Sequence, residues 1–323
     1  MRRCGVTRRR WLQTALAAGA ACALPAWPAL AQGGLGFGAL DLDWVDAARQ
    51  RAVPVRLLLP HQGERLPLVV FSHGMGGSRA GYRWLGEYLA GQGVASLHVQ
   101  HVGSDRRLWS GNVLGVVGRL QEAAQDQEAI ARVHDLRFAL DTLLGGELAA
   151  RVDARRIVAA GHSYGANTTL LASGARVRRQ GQVLDLHDTR VRAAIVISAP
   201  PFYGEPDLGR ILQSVTVPTL HVTATEDIIR IPGYYSGPED RLAVFDATGS
   251  TRKWLAVFEG GSHSMFTDRA ASGGAALNPQ VKSATRELAV AFVRGVLDGD
   301  ETALAAWPGQ HARILARFAE VRA

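Results

Sequence analysis

From Asp41 onward the chain alternates short apolar runs with longer amphipathic stretches. Runs at residues 53–59, 66–71, 95–100, 156–160, 193–198, 219–223 and 254–258 predict strands. Stretches at 80–90, 125–144, 164–173, 208–214, 279–297 and 301–321 predict helices. Strands that alternate with helices in this way specify an α/β fold: a mostly parallel, twisted sheet with helices on both faces. Residues 32–323 contain no repeat, low-complexity block or linker, so one domain is the expected organisation. Two segments, 102–124 and 176–190, fall outside the alternation and are too short for a large cap domain. They are expected beside the functional site, with Trp109 and Leu114 either covering a pocket or packing on the body.

Charge adds a leader to this picture. The formal net charge is +7, but Arg2, Arg3, Arg8, Arg9 and Arg10 supply most of it and no acidic residue precedes Asp41. The remainder is nearly neutral, which argues against a nucleic-acid partner. Thr7-Arg8-Arg9-Arg10-Trp11-Leu12-Gln13 matches the twin-arginine export pattern in register. An Ala-rich apolar segment, residues 14–26, follows, and then a small-x-small site at Ala29-Leu30-Ala31. Residues 1–31 are therefore expected to be a signal peptide read by the twin-arginine machinery, leaving a periplasmic or secreted protein. The apolar run is too short and too rich in Ala and Gly for a stable membrane span. Both cysteines, Cys4 and Cys22, lie in this leader, so disulfides and thiol chemistry are not expected in the mature chain. Cys22 is also an alternative lipid-attachment position, although Gly19 three residues earlier fits that pattern poorly.

The candidate chemistry centres on Gly161-His162-Ser163-Tyr164-Gly165, between a predicted strand and a predicted helix. A turn this tight crowds the positions two before and two after the serine, where glycine has no Cβ to clash. Ser163 is thus the candidate nucleophile. A serine hydroxyl needs a base to take its proton, an acid to orient that base, and donors for a developing oxyanion. With chain order serine, acid, histidine, the acid is expected at Asp227, with Glu226 the adjacent competitor, and the base at His263 in the glycine-rich turn after the last strand. Asp207 and Asp246 read as surface charge, and His73, His98, His101, His162 and His221 as packing and hydrogen-bonding residues. The expected oxyanion donors are the backbone N–H groups of Tyr164 and of Met75, in Ser72-His73-Gly74-Met75-Gly76-Gly77. No His/Asp/Cys cluster has metal-ligand spacing, and neither a cofactor nor a metal is expected.

These pieces, together with Asp46-Ala47-Ala48-Arg49, His101-Val102-Gly103-Ser104-Asp105, Asp135-Leu136-Arg137 and Gly261-Ser262-His263, resemble the α/β-hydrolases of the dienelactone-hydrolase-like and platelet-activating-factor-acetylhydrolase-like group. The resemblance implies a cofactor-free serine ester hydrolase acting on a small-molecule or polymeric ester. True dienelactone hydrolases use cysteine as nucleophile, so Ser163 argues against that activity. Ala166 stands where a third glycine is common, and alanine is still small enough for close helix–strand packing. An acyltransferase on the same fold, a peptidase and an inactive binding protein remain alternatives. Tyr164, Phe202, Tyr203, Tyr234, Tyr235 and Phe266 are read either as the lining of an apolar acyl site or as core plugs.

Overall fold

The computed structural model describes residues 35–231, 233–268 and 276–322, without the side chains of residues 113 and 114. The expected signal peptide, both cysteines and the Leu114 side chain lie outside that set. In chain order the elements are β1 (Phe37–Asp46), β2 (Arg51–Pro60), β3 (Leu66–Ser72), α1 (Arg83–Gly91), β4 (Ala95–Val99), α2 (Val113–Ala123), α3 (Asp126–Gly145), β5 (Val152–His162) and α4 (Tyr164–Ala172). There follow β6 (Arg176–Arg179), β7 (Gln182–Asp185), β8 (Val191–Ile197), α5 (Leu208–Leu212), β9 (Thr219–Glu226), β10 (Ile229–Ile231), β11 (Tyr234–Ser236), α6 (Pro238–Ala247), β12 (Arg252–Ser262), α7 (Leu277–Leu297), α8 (Thr302–Gln310) and β13 (Leu315–Arg322).

Nine strands form one sheet in the order β1-β2-β4-β3-β5-β8-β9-β12-β13. The six from β4 to β12 run parallel, while β1, β2 and β13 pair antiparallel at the edges. This is the mostly parallel sheet that the alternation predicts. The central strands are buried on both faces, β3 along its whole length. Beneath α3 and α4, Leu136, Leu140 and Leu170 pack on Leu68 and Ile157. On the opposite face Leu85 and Leu89 of α1 and Leu288 and Phe292 of α7 pack with Trp254 and Phe258. Burial of an aliphatic or aromatic side chain contributes roughly 1.5–3 kcal/mol, so the two layers clamp the sheet and fix where its carboxyl ends lie.

Three expectations change. Residues 301–321 form not one helix but α8, a short 3-10 turn and the edge strand β13. Leu, Ala, Arg and Glu favour helix on propensity, but the unpaired edge of β12 offers a ladder from Arg252↔Arg322 to Phe258↔Leu315, and pairing wins. Strand β1, absent from the predicted set, pairs with β2 over ten residues, and its Asp41 and Asp43 bind Arg56 and Arg79. Helix α6 was also unpredicted. The two segments outside the alternation become α2 with a 3-10 turn at Arg106–Trp109, and the β6–β7 hairpin. Among the described residues, nothing larger is inserted over the carboxyl ends of the strands.

Candidate active site

Strand β5 ends at His162 and α4 begins at Tyr164, leaving Ser163 alone at the corner with φ 55° and ψ −122°. A non-glycine residue reaches such a backbone only where its surroundings impose it. Here the Ser163 N–H is held by the Ile197 carbonyl of β8 at 2.9 Å. A Cβ on Gly161 would run into the Gly165 carbonyl, and one on Gly165 into the Ser72 carbonyl of β3. Both glycines are required by backbone meeting backbone. Ala166, by contrast, fits fully buried, with its N–H on the Ser163 carbonyl at 2.8 Å.

Asp227 follows directly on β9, and His263 follows β12 at the start of a 3-10 turn. The histidine Nδ1 lies 2.7 Å from Asp227 Oδ1. Thr223 Oγ1 donates to Asp227 Oδ2 at 2.7 Å, and Arg241 of α6 stands 3.4 Å from Oδ1. Asp227 is wholly buried. Burial alone would raise its pKa, but His263 and then Arg241 outweigh burial and hold the carboxyl well below the ordinary carboxylate range. The carboxylate therefore fixes the tautomer, with the proton on Nδ1 and the lone pair on Nε2. Glu226 is exposed to solvent. Nothing in the sequence marked Arg241, because helix α6 itself was missed, although Pro238-Glu239-Asp240 is a helix-start signature.

The loop after β3 is tied down at several backbone groups. Gly76 N–H bonds to the Ser104 carbonyl at 2.8 Å, Gly77 N–H to the Gly74 carbonyl at 3.0 Å, and the Trp109 indole donates to the Gly76 carbonyl at 3.1 Å. Trp109 thus holds this loop while also lining the cleft, so neither simple reading of it is sufficient. The N–H groups of Met75 and Tyr164 are different: among the described residues neither finds an acceptor. They are the two positions expected to face an oxyanion.

A chain of hydrogen bonds joins the loops. Gly74 N–H donates to Tyr82 Oη (3.2 Å), the hydroxyl donates to His162 Nδ1 (2.8 Å), and His162 Nε2 donates to the His263 carbonyl (3.0 Å). Burial, and after it the neighbouring His263, push the His162 pKa well below its ordinary value. A neutral His162 is what this chain of donors requires. Behind the loop, the fully buried Arg132 reaches the His73 carbonyl, Ser104 Oγ (2.7 Å) and Thr168 Oγ1 (2.9 Å). Ser104 in turn donates to Glu128, which pairs with Arg51, which pairs with the buried Asp135; Arg49 and His101 meet the same carboxylate. Motif pieces far apart in sequence thus converge on one polar network. None of Tyr82, Arg132 or Glu128 was singled out from the sequence, since their roles depend on long-range contacts.

Ser163 lies between two hollows. One is a narrow apolar chamber lined by Leu171, Phe202, Tyr203, Ile229, Ile231 and Tyr234, together with Met75 and Tyr164. The other is a wider, more polar cleft that contains His263, with Gly74 to Ser78, Trp109 and Asp268 on its walls. Of the aromatics considered for an acyl site, Phe266 is instead a fully buried core residue, and Tyr235 is exposed. Among the described residues, no cluster of three or more His, Cys, Asp or Glu is placed to hold a metal, and no helix is long and apolar enough to cross a membrane.

With this geometry in view, comparisons with known proteins agree on architecture. The family described as platelet-activating factor acetylhydrolase, isoform II, matches residues 49–108, from β2 through the loop carrying Met75 to the turn at Trp109. A ferulic acid esterase from Streptomyces cinnamoneus superposes with a TM-score of 0.64 at 23% identity, covering 90% of this chain and 98% of that one. A cold-adapted esterase from an Arctic intertidal metagenomic library gives 0.50 at 19% identity, covering 74% and 92%. None of the curated proteins matches the chain. The chain has the α/β-hydrolase fold.

Proposed function

We propose that the protein is a serine carboxylic-ester hydrolase that works through an acyl-enzyme on Ser163. The observation that carries this reading is the 2.7 Å His263–Asp227 pair opening into the cleft that the strained Ser163 also lines. His263 Nε2 takes the serine proton as Oγ attacks the ester carbonyl, and Asp227 stabilises the imidazolium. The N–H groups of Met75 and Tyr164 receive the oxyanion; each such donor is worth about 3 kcal/mol in the transition state. Collapse expels the alcohol, whose oxygen collects the proton from His263, and water then releases the acid by the same route.

Proton return assigns the two hollows. The leaving oxygen must lie within reach of His263, so the alcohol occupies the wide cleft and the acyl group the narrow apolar chamber. The family match at residues 49–108 and the two esterase neighbours support ester chemistry, and the name of the first makes aromatic acyl esters worth including in a substrate panel. The leader pattern supports export through the twin-arginine machinery, with residues 32–323 as the catalytic domain in the periplasm or medium. Protein recovered outside the cytoplasm is expected to begin at Gln32 and to hydrolyse simple esters. Ser163→Ala is expected to lower kcat roughly a millionfold; undiminished turnover by that variant would remove Ser163 from the mechanism.

A further inference from the structure

Two residues on the wall of the apolar chamber each carry a polar atom that nothing in the protein uses. Tyr164 Oη and Asn167 Oδ1 are both buried without a hydrogen-bond partner. Both residues line the chamber, three positions apart and so on one face of α4. Asn167 as a whole is 8% exposed. Its amide orientation is set by Pro201, also on the chamber wall, because Nδ2 faces the Pro201 carbonyl at 3.5 Å and Oδ1 must then point away from that oxygen. The Tyr164 ring is fixed as well, with the Arg132 guanidinium 4.5 Å over its face.

An unpartnered buried polar atom is costly, so two of them on the wall of a largely apolar chamber call for an occupant. Asn167 Oδ1 only accepts, while Tyr164 Oη both donates and accepts. A single hydroxyl satisfies the pair, donating to the amide oxygen and accepting from the phenol. A ketone or ether oxygen would serve Tyr164 alone, and a plain hydrocarbon neither.

We propose that the acyl chamber selects acyl groups that carry a hydroxyl on an otherwise apolar body, with Tyr164 Oη and Asn167 Oδ1 reading that hydroxyl. This rests on the esterase reading and on the assignment of the narrow chamber to the acyl side. Arg179 and Asp126 also line the chamber and pair at 2.7 Å, and Arg179 meets Glu205 as well at 3.3 Å, so among the described residues no free cation is left on the wall to draw an anionic acyl group.

Two pairs of methyl esters test it: para-hydroxyphenylpropanoate against phenylpropanoate, and omega-hydroxyoctanoate against octanoate. The quantity read is the ratio of kcat/KM within each pair, which cancels any general loss of activity. The wild-type ratio is expected to favour the hydroxylated ester about tenfold or more in at least one pair, the aromatic or aliphatic arm showing which body fits. Asn167→Leu and Tyr164→Phe, which keep volume and remove only the polar atoms, are each expected to bring that ratio close to unity. Wild-type ratios at or below unity in both pairs, or a preference that survives both substitutions, would overturn the proposal and leave the esterase reading standing. No hydrolysis of any of the four esters would overturn both.

Discussion

The elbow at β5–α4 and the carboxyl-terminal edge at α8–β13 sit in the same sheet and obey different rules. At the elbow, backbone touches backbone: Gly165 has the Ser72 carbonyl where its Cβ would be, and Gly161 has that of Gly165. At the edge, Leu315 to Arg322 use ordinary side chains, five of the eight exposed, to extend a ladder that other residues would also extend. The elbow therefore depends on residue identity and the edge on an available partner. A short, sterically forced motif can be read from sequence, whereas a tertiary pairing of residues with helical propensity cannot.

The largest expected effect that separates the two regions is at glycine. Gly165→Ala forces a methyl group into the Ser72 carbonyl and is expected to cost more than about 4 kcal/mol or to abolish soluble expression. Gly309→Ala in α8, where nothing lies within 4 Å of the added Cβ, is expected to change stability by no more than about 1 kcal/mol, and toward greater stability. Thermal unfolding of the two variants measures this directly. Equal melting temperatures would mean that the elbow is not sterically fixed.

Next in size is the choice between two neighbouring acids. Asp227→Asn replaces the carboxylate that fixes the His263 tautomer with an uncharged amide whose NH2 can face Nδ1 instead, and is expected to reduce kcat roughly ten-thousandfold. Glu226→Gln, at an exposed position, is expected to leave kcat within about twofold. The reverse result would move the acid to Glu226 and break the link between burial and role that the site rests on.

Residue order and local sterics pick out Ser163, Asp227 and His263 as candidates from sequence alone, because each sits just past a recognisable strand. The supports were not visible. Arg241 lies on a helix that periodicity missed, and Arg132 looks like one more surface charge of an amphipathic helix until Ser104, Thr168 and the His73 carbonyl surround it. Strand β1 escaped because its polar face, Asp41 and Asp43, is satisfied by Arg56 and Arg79 from distant positions. Local rules expose the candidate reacting groups, while long-range ion pairs hide the groups that hold them.

A smaller, graded effect follows from the histidines packed around the elbow and the central strands. His73, His98, His101, His162 and His221 are all pushed below the ordinary histidine value, burial being the largest cause in each, with His98 at about 4 and His101 and His221 at about 3. Unfolded imidazoles protonate near pH 6.5 while these stay neutral, so below that pH the unfolded state binds more protons and stability falls as pH falls. Each group contributes a slope of up to about 1.4 kcal/mol per pH unit until its native pKa is reached. The depressed carboxyl of Asp227 adds loss of the same sign only below about pH 4. Urea unfolding between pH 7 and 5 is expected to show a steep decline, and a flat profile would contradict the buried neutral histidines.

The central claim is a covalent acyl-enzyme on one residue, and trapping it is the most direct measurement. Reaction with a fluorophosphonate, followed by intact mass and peptide mapping, is expected to add one adduct per chain, located at Ser163 and absent from Ser163→Ala. An adduct on any other serine, or full labelling of that variant, would contradict the account.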